Sequence, residues 1–200
     1  EDTKFFAHPL AILDNAQIGD GTRVWAFAHI MQGARVSAAC HIGEHSLIET
    51  GAVLGDGVTV KNGVSVWAGV LIGDNCVLGP HCVFTNDRNP RAYIKKGPDH
   101  LLPTVVKHNA SIGANAALLC GHTIGSYAFI GAGAVVIRDV ADHSLVVGNP
   151  ARQIGWMCVC AERLPMKGSS TVGEMCSCNH CGVGFLRTAC GLSAQGPGNR

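Results

Sequence analysis

The stretch IGEHSLIETGAVLGDGVTVKNGVSV, residues 42–66, repeats every six residues: Ile42, Ile48, Leu54, Val60 and Val66 fall in one column. Followed outward, the column runs from Ile12 through Ile18, Val24, Ile30 and Val36 and on to Ile72, Leu78 and Phe84. It resumes at Val106 and continues through Ile112, Leu118, Ile124, Ile130 and Val136. Four places after the anchors stand small or β-branched residues, among them Ala28, Ala34, Cys40, Ala52, Val64, Cys76, Cys82, Ala116 and Ala134. Three places after them, sixteen of nineteen positions are Gly, Asn, Asp or His, the types that best tolerate positive φ. An amphipathic helix would space its anchors by three and four, so that reading fails. Each hexad is instead a short strand with one inward anchor, followed by a left-handed corner. Three hexads close a triangular coil, and coils stack through parallel strands ~4.8 Å apart. The expected class is an all-β solenoid of a little over six coils.

Composition narrows the function. The 200 residues carry fifteen Lys+Arg against fourteen Asp+Glu, a net charge of +1, which argues against a nucleic-acid partner. Hydrophobic residues make up 47% and net charge is near zero, which argues against disorder. No apolar run approaches the ~20 residues of a membrane span, and no membrane partner is expected. A soluble, cytoplasmic protein is the expectation.

The repeat fails once. Phe84 and Val106 stand 22 residues apart, not a multiple of six, so at least four residues are extruded. The loop, residues 85–105, opens Thr85-Asn86-Asp87-Arg88-Asn89-Pro90-Arg91 and carries Lys95, Lys96, Pro98 and Pro103. A polar loop thrown from a rigid scaffold is either a binding loop or a tolerated insertion.

The runs Ile112-Gly113-Ala114-Asn115-Ala116, Ile130-Gly131-Ala132-Gly133-Ala134-Val135-Val136 and Val147-Gly148-Asn149-Pro150-Ala151-Arg152 resemble the hexapeptide-repeat acyltransferases, over about residues 10–156. That resemblance implies a left-handed parallel β-helix, a homotrimer and acetyl-CoA as co-substrate. Phe84-Thr85-Asn86-Asp87, Asn89-Pro90-Arg91 and Pro103-Thr104-Val105-Val106 are similar to one subgroup, together with Val24-Trp25, His29-Ile30, Lys61 and Trp67. Its members are N-acetyltransferases of nucleotide-linked 3-amino sugars in bacterial surface-polysaccharide (O-antigen, lipopolysaccharide) biosynthesis. The nearest branch acetylates UDP-2-acetamido-3-amino-2,3-dideoxy-glucuronate, and relatives acting on dTDP-3-amino-3,6-dideoxyhexoses share much of the pattern. A UDP-linked substrate is therefore expected ahead of a dTDP-linked one.

Transfer requires an amine held ~3 Å from the thioester carbon, a donor for the developing oxyanion and a proton acceptor. The resemblance puts Asn86 at the reacting centre, where its amide can orient the amine or donate to the oxyanion but cannot act as a base. The leaving sulfur would collect the proton. For the sugar nucleotide the candidates are His29, Lys61, Trp67, Asp87, Arg88 and Arg91. For acetyl-CoA, lying along a prism edge between subunits, they are Ala114, Ala132, Gly133, Arg138, Pro150 and Arg152. A histidine base is the alternative, with His29, His108 and His122 open; His45 and His81 fall at corners. Other classes on the same fold are a non-catalytic scaffold and a metal-dependent hydratase of the γ-carbonic-anhydrase type, for which no convincing trio of histidines is spaced.

Ten cysteines divide in two. Cys40, Cys76 and Cys82 hold the small inward position, where Cys acts as a small hydrophobe. The other seven are Cys120 and six in a Cys-rich tail, residues 157–200, set off from the solenoid of residues 1–156. Cys158-Val159-Cys160 and Cys178-Asn179-His180-Cys181 resemble the knuckles of a zinc ribbon, with Cys176 a substitute for Cys178; free thiols and disulfides are the alternatives. Capping the last coil is the expected role of a tail judged too short for a core of its own. Gln195-Gly196-Pro197-Gly198-Asn199-Arg200 is expected to fray.

Overall fold

Each hexad forms a two-residue strand whose second residue points inward and whose neighbours lie one coil above and below. Leu47 and Ile48, for example, pair in parallel with Ser65 and Val66. The computed structural model describes residues 4–195, in which such strands build three faces of a prism. Face 1 runs over nine strands from Phe6–Ala7 to Arg152–Trp156, face 2 over seven from Ile12–Leu13 to Val135–Val136, and face 3 over six from Gln17–Ile18 to Thr123–Ile124. The anchors from Val24 to Val146 form one buried column, closed above by Ala151. Among the described residues the only helical element is a single 3₁₀ turn, Pro98–His100.

The strict six-residue count fails at both ends. Leu13, not Ile12, faces Ile30, and Ile12 is 53% exposed. The corner from Leu13 to Ile18 is one residue short, and a further strand at Ala7 pairs with Val24 below it. At the other end Val140 lies opposite Ile124 and Val146 opposite Ile130, sixteen residues on rather than eighteen. The prism therefore has seven turns and the start of an eighth, more than counting by six gives.

The corners impose their backbone on whatever residue arrives. Phe27, Ala39 and Tyr127, the three exceptions in the composition of that column, have φ of 60°, 56° and 56°. Such a conformation costs about 1–2 kcal/mol for a residue with a Cβ. Two of the three are offset by stacking, Phe27 on His45 at 5.0 Å and Tyr127 on His143 at 4.9 Å. His45 and His81 share the left-handed corner geometry. Cys40, Cys76 and Cys82 are buried free thiols in the interior, and burial pushes Cys76 up to about 11 and Cys82 up to about 12.

The Cys-rich tail corrects one expectation, because it has a core. Trp156, Leu164, Met166, Val183, Phe185 and Leu192 pack together with Cys158 and Cys178. Trp156 Nε1 donates to Lys167 O at 2.9 Å, and the Arg187 guanidinium lies 4.7 Å over the indole. Met175–Ser177, Gly184–Thr188 and Gly191–Gln195 form a separate antiparallel sheet. Its last strand meets the end of the prism, where Asp142 N donates to Cys190 O and Leu192 N to Asp142 O. Gly191 is obligatory there: at φ +137° an added Cβ would stand 2.5 Å from Asp142 O. Gln195 thus ends a strand instead of fraying, and the rest of the expected frayed end, residues 196–200, lies outside the described residues.

His143 joins the two cores. It is buried, Nδ1 donates to Met157 O at 2.9 Å, and its ring contacts Tyr127 and Phe185. Burial holds its pKa below the usual 6.5. Below about pH 6.5 the unfolded chain therefore binds a proton that the folded chain does not, and stability falls as the pH falls. The melting temperature is expected to drop from pH 7 to pH 5, and to drop less in His143→Asn, which keeps a residue suited to the corner. Equal pH dependence in the two proteins would remove His143 from this role.

Candidate functional site: the neck of the extruded loop

Val66 and Ile72, six apart, face Phe84 and Val106, 22 apart, so sixteen residues are extruded from the edge between faces 2 and 3. The sequence minimum of four assumed that whole hexads might be hidden in the gap; there are none. Both feet are tied down. At the first, Trp67 Nε1 donates to Phe84 O at 2.9 Å and Cys120 N donates to Thr85 Oγ1 at 3.0 Å. At the second, Gly121 N donates to Pro103 O and Thr104 N to Gly69 O. Leu102 N donates to Asn86 O at 2.9 Å, closing the neck. Asn86 therefore holds its position through its backbone, and its half-exposed amide side chain makes no hydrogen bond among the described residues.

Beyond the neck a clasp shapes the loop. Lys96 Nζ donates to both Asp87 carboxylate oxygens, at 2.6 and 2.7 Å, and to Asn89 O at 2.7 Å. The hydrogen bond from Lys96 holds the Asp87 carboxyl below the usual carboxylate range. Asp87, a candidate for the substrate, is thus already engaged in shaping the loop. Arg88 folds back over Gly121, where a Cβ would lie 3.6 Å from its Nη2. Arg91 lines an open basin with Pro90, Ile94, Lys95, Lys96 and Leu101. Tyr93, 81% exposed, stands near the loop tip.

The remaining candidates divide between edges. Trp67 belongs to the same edge as Asn86, supported from below by Glu49, which accepts the Ala68 amide at 2.7 Å. Lys61 lies on the edge between faces 1 and 2, beside Trp25, His41 and Asn62. Ala114, Ala132 and Gly133 climb that same edge. Its glycines are demanded by stacking, since a Cβ on Gly113 would meet Ala132 N at 2.5 Å, whereas Gly133 faces open space. Arg138 and Arg152 line a concavity at the end of the prism with Val140, Val146 and Ala151, next to Pro150. His29 Nε2 is paired with Asp14 Oδ2 at 2.7 Å. His108 meets Asn109 and Tyr127 on the third edge, and half-buried His122 faces Asp139 at 3.3 Å. Within one chain, then, Asn86 and Lys61 are separated by the width of a face.

Thr85 and Leu102 hold the neck and Lys96 the clasp beyond it, pairings invisible to the periodicity because a loop has no repeat to expose its partners. Trp67→Phe is expected to cost about 1 kcal/mol by stranding the Phe84 carbonyl. It is also expected to lower kcat severalfold while leaving KM nearly unchanged, if the neck positions the reacting groups. Unaltered kcat with the stability loss present would confine Trp67 to a structural role.

Two segments match known families. Residues 51–86 match the bacterial transferase hexapeptide (six repeats), and residues 103–138 match the hexapeptide repeat of succinyl-transferase. The two segments flank the loop. The chain is 46% identical over 173 residues to dTDP-3-amino-3,6-dideoxy-alpha-D-galactopyranose 3-N-acetyltransferase of Aneurinibacillus thermoaerophilus, covering 86% of this chain and 88% of that one. The chain belongs to the hexapeptide-repeat acyltransferases. Its solenoid is accordingly the left-handed parallel β-helix of that family, and it is an acyltransferase. It is also 28% identical over 148 residues to the bifunctional protein GlmU of Gloeothece citriformis, covering 73% of this chain but only 30% of that one. Among solved structures, the acetyltransferase domain of PglB from Neisseria gonorrhoeae superposes with a TM-score of 0.51 at 26% identity. That match covers 75% of this chain and 57% of the other. Among the described residues no helix is long and apolar enough to cross a membrane.

Proposed function

We propose that this chain transfers the acetyl group of acetyl-CoA to the 3-amino group of a nucleotide-linked deoxy amino sugar. The observation that carries the reading is the 46% identity, over 86% of the chain, to an acetyltransferase of a dTDP-linked 3-amino sugar. That likeness moves a dTDP-linked hexose ahead of the UDP-linked glucuronate that the sequence favoured. The UDP-linked sugar is the second reading, supported by the loop runs Phe84–Asp87 and Asn89–Arg91.

The neutral amine attacks the thioester carbon, a C–N bond forms, and the oxyanion collapses with cleavage of C–S. The CoA sulfur leaves as thiolate and takes the amine proton, so the products are an amide and free CoA. Asn86, free at the neck, holds the amine through Oδ1 or meets the oxyanion through Nδ2. Arg88, Arg91 and Lys61 are the cations offered to the nucleotide diphosphate. Ala114, Ala132 and Gly133 offer a smooth edge for pantetheine, and Arg138 and Arg152, with Pro150 beside them, the end for the phosphoadenosine. The small-residue edge and the Asn86 edge are different edges of one prism, so a site using both takes two subunits. This is our ground for an oligomer, a homotrimer by the family resemblance, and Tyr93 with Ile94 near the loop tip is the apolar surface offered to the neighbour. We place the reaction in the cytoplasm.

The test is free-thiol release from acetyl-CoA with dTDP- and UDP-linked 3-amino sugars compared side by side. Turnover with a dTDP-3-amino hexose alone is expected. Turnover with the UDP-glucuronate alone would keep the chemistry and reverse the nucleotide. No turnover with any amino sugar, from a folded chain that binds CoA, would overturn the reading.

A further inference from the structure

Four cysteines of the tail take no part in that reaction. The Sγ atoms of Cys158, Cys160, Cys178 and Cys181 all lie within 4.8 Å of one another. Cys158 and Cys181 are 3.4 Å apart and Cys160 and Cys178 are 3.7 Å apart, much longer than the ~2.05 Å of a disulfide. Four thiolates bound to one ion at ~2.3 Å stand ~3.8 Å from each other, the edge of the tetrahedron. Two of the thiol pairs stand near that spacing, and all four sulfurs lie within 4.8 Å of one another. A cluster of several irons would hold its ligands further apart.

The backbone around them is built alike in both knuckles. Cys158 N donates to Glu162 O and Ala161 N to Cys158 O, while Cys178 N donates to Val183 O and Gly182 N to Cys178 O. Each turn closes on a left-handed residue directly after its second cysteine, Ala161 at φ 67° and Gly182 at φ 75°. The Cys-x-Cys pair is thus built as a Cys-x-x-Cys knuckle shortened by one residue. Amides also face the sulfurs: His180 and Cys181 toward Cys178, Cys160 toward Cys158, and Glu162 toward Cys160. Such donors form the outer shell that steadies thiolate ligands. Cys176, the substitute ligand, stands opposite Phe185 in the small sheet and outside the group.

We propose that Cys158, Cys160, Cys178 and Cys181 bind one zinc ion, which replaces four thiol protons and pins the tail to the end of the prism. Cys158 and Cys178 belong to the Trp156–Phe185 core, so the ion and the apolar contacts stabilise the same unit.

The full chain, purified without chelator, is expected to carry one zinc by plasma mass spectrometry. Cys190→Ser, at an exposed cysteine outside the group, is expected to carry the same. The double variant Cys178→Ser/Cys181→Ser is expected to lose the metal. Wild-type chain gives an independent reading should that variant fail to fold. A mercurial is expected to release zinc in step with titration of the four thiols, and zinc added back after the mercurial is removed is expected to restore the thermal transition. A metal-free native chain, iron in place of zinc, disulfides in the unreduced mass, or full zinc retention by the double variant would each overturn the proposal.

Discussion

Asn86→Ala is expected to lower kcat by about 10²–10³-fold, the usual cost of removing one preorganised donor to an oxyanion. Stability is expected to stay within about 0.5 kcal/mol, because the residue lies outside the anchor column and its fold contact runs through the backbone carbonyl. KM for the sugar should move far less than kcat, since an interaction made only in the transition state is lost from turnover rather than from binding. Asn86→Asp then separates the two roles open to the amide. A carboxylate still accepts from the amine but repels the oxyanion. Retained turnover in Asn86→Asp assigns Asn86 to the amine, and a loss as deep as in Asn86→Ala assigns it to the oxyanion. Turnover unchanged in Asn86→Ala would take the residue out of the chemistry.

The solenoid was legible because one physical requirement recurs at every coil. An anchor every six residues and a left-handed corner leave little else to fit, so Val24 through Phe84 read off directly. Legibility ends where the period changes. The five-residue step from Leu13 to Ile18 moved Ile12 to the surface, and the shortened turn at Val140 hid the start of the eighth coil. The edges of the prism were implicit in the register. Counting by six puts Trp67 and Asn86 together on one edge and Ala114 and Ala132 together on one edge, but how Lys61 aligns with Ala114 across the 22-residue gap emerges only once the loop is located. Inside the loop nothing repeats, so the Asp87–Lys96 clasp and the Leu102 bond to Asn86 had no sequence signal. The tail had a compositional signal in its cysteines, but its core rests on Trp156, Phe185 and Leu192, scattered over 37 residues without period.

Phe84→Ala is expected to destabilise the chain by about 3–5 kcal/mol, the usual cost of emptying a buried aromatic site. Phe84 is 1% exposed, and it is the last anchor before the loop. The strands on either side of it, Ser65–Val66 and Ala117–Leu118, are held by parallel ladders that cannot close inward over the void. For a chain of this length that corresponds to a fall in melting temperature of roughly 10 °C. Because each coil touches only its neighbours, the damage should be local. Hydrogen exchange is expected to speed first at residues 64–72, 82–86 and 102–120, while the coil from Val24 to Val36 keeps its protection. Phe84→Leu should recover most of the loss, since it restores volume without a polar atom. The comparison also ties the core to the site. Phe84 presents its carbonyl to Trp67 and stands two residues before Asn86, so Phe84→Ala should lower kcat even at temperatures where the chain is folded, and Phe84→Leu should not. A melting temperature within about 2 °C of wild type in Phe84→Ala would mean that the coils do collapse to fill the space. The loop foot would then be held by the Trp67 and Cys120 hydrogen bonds rather than by the anchor beneath it.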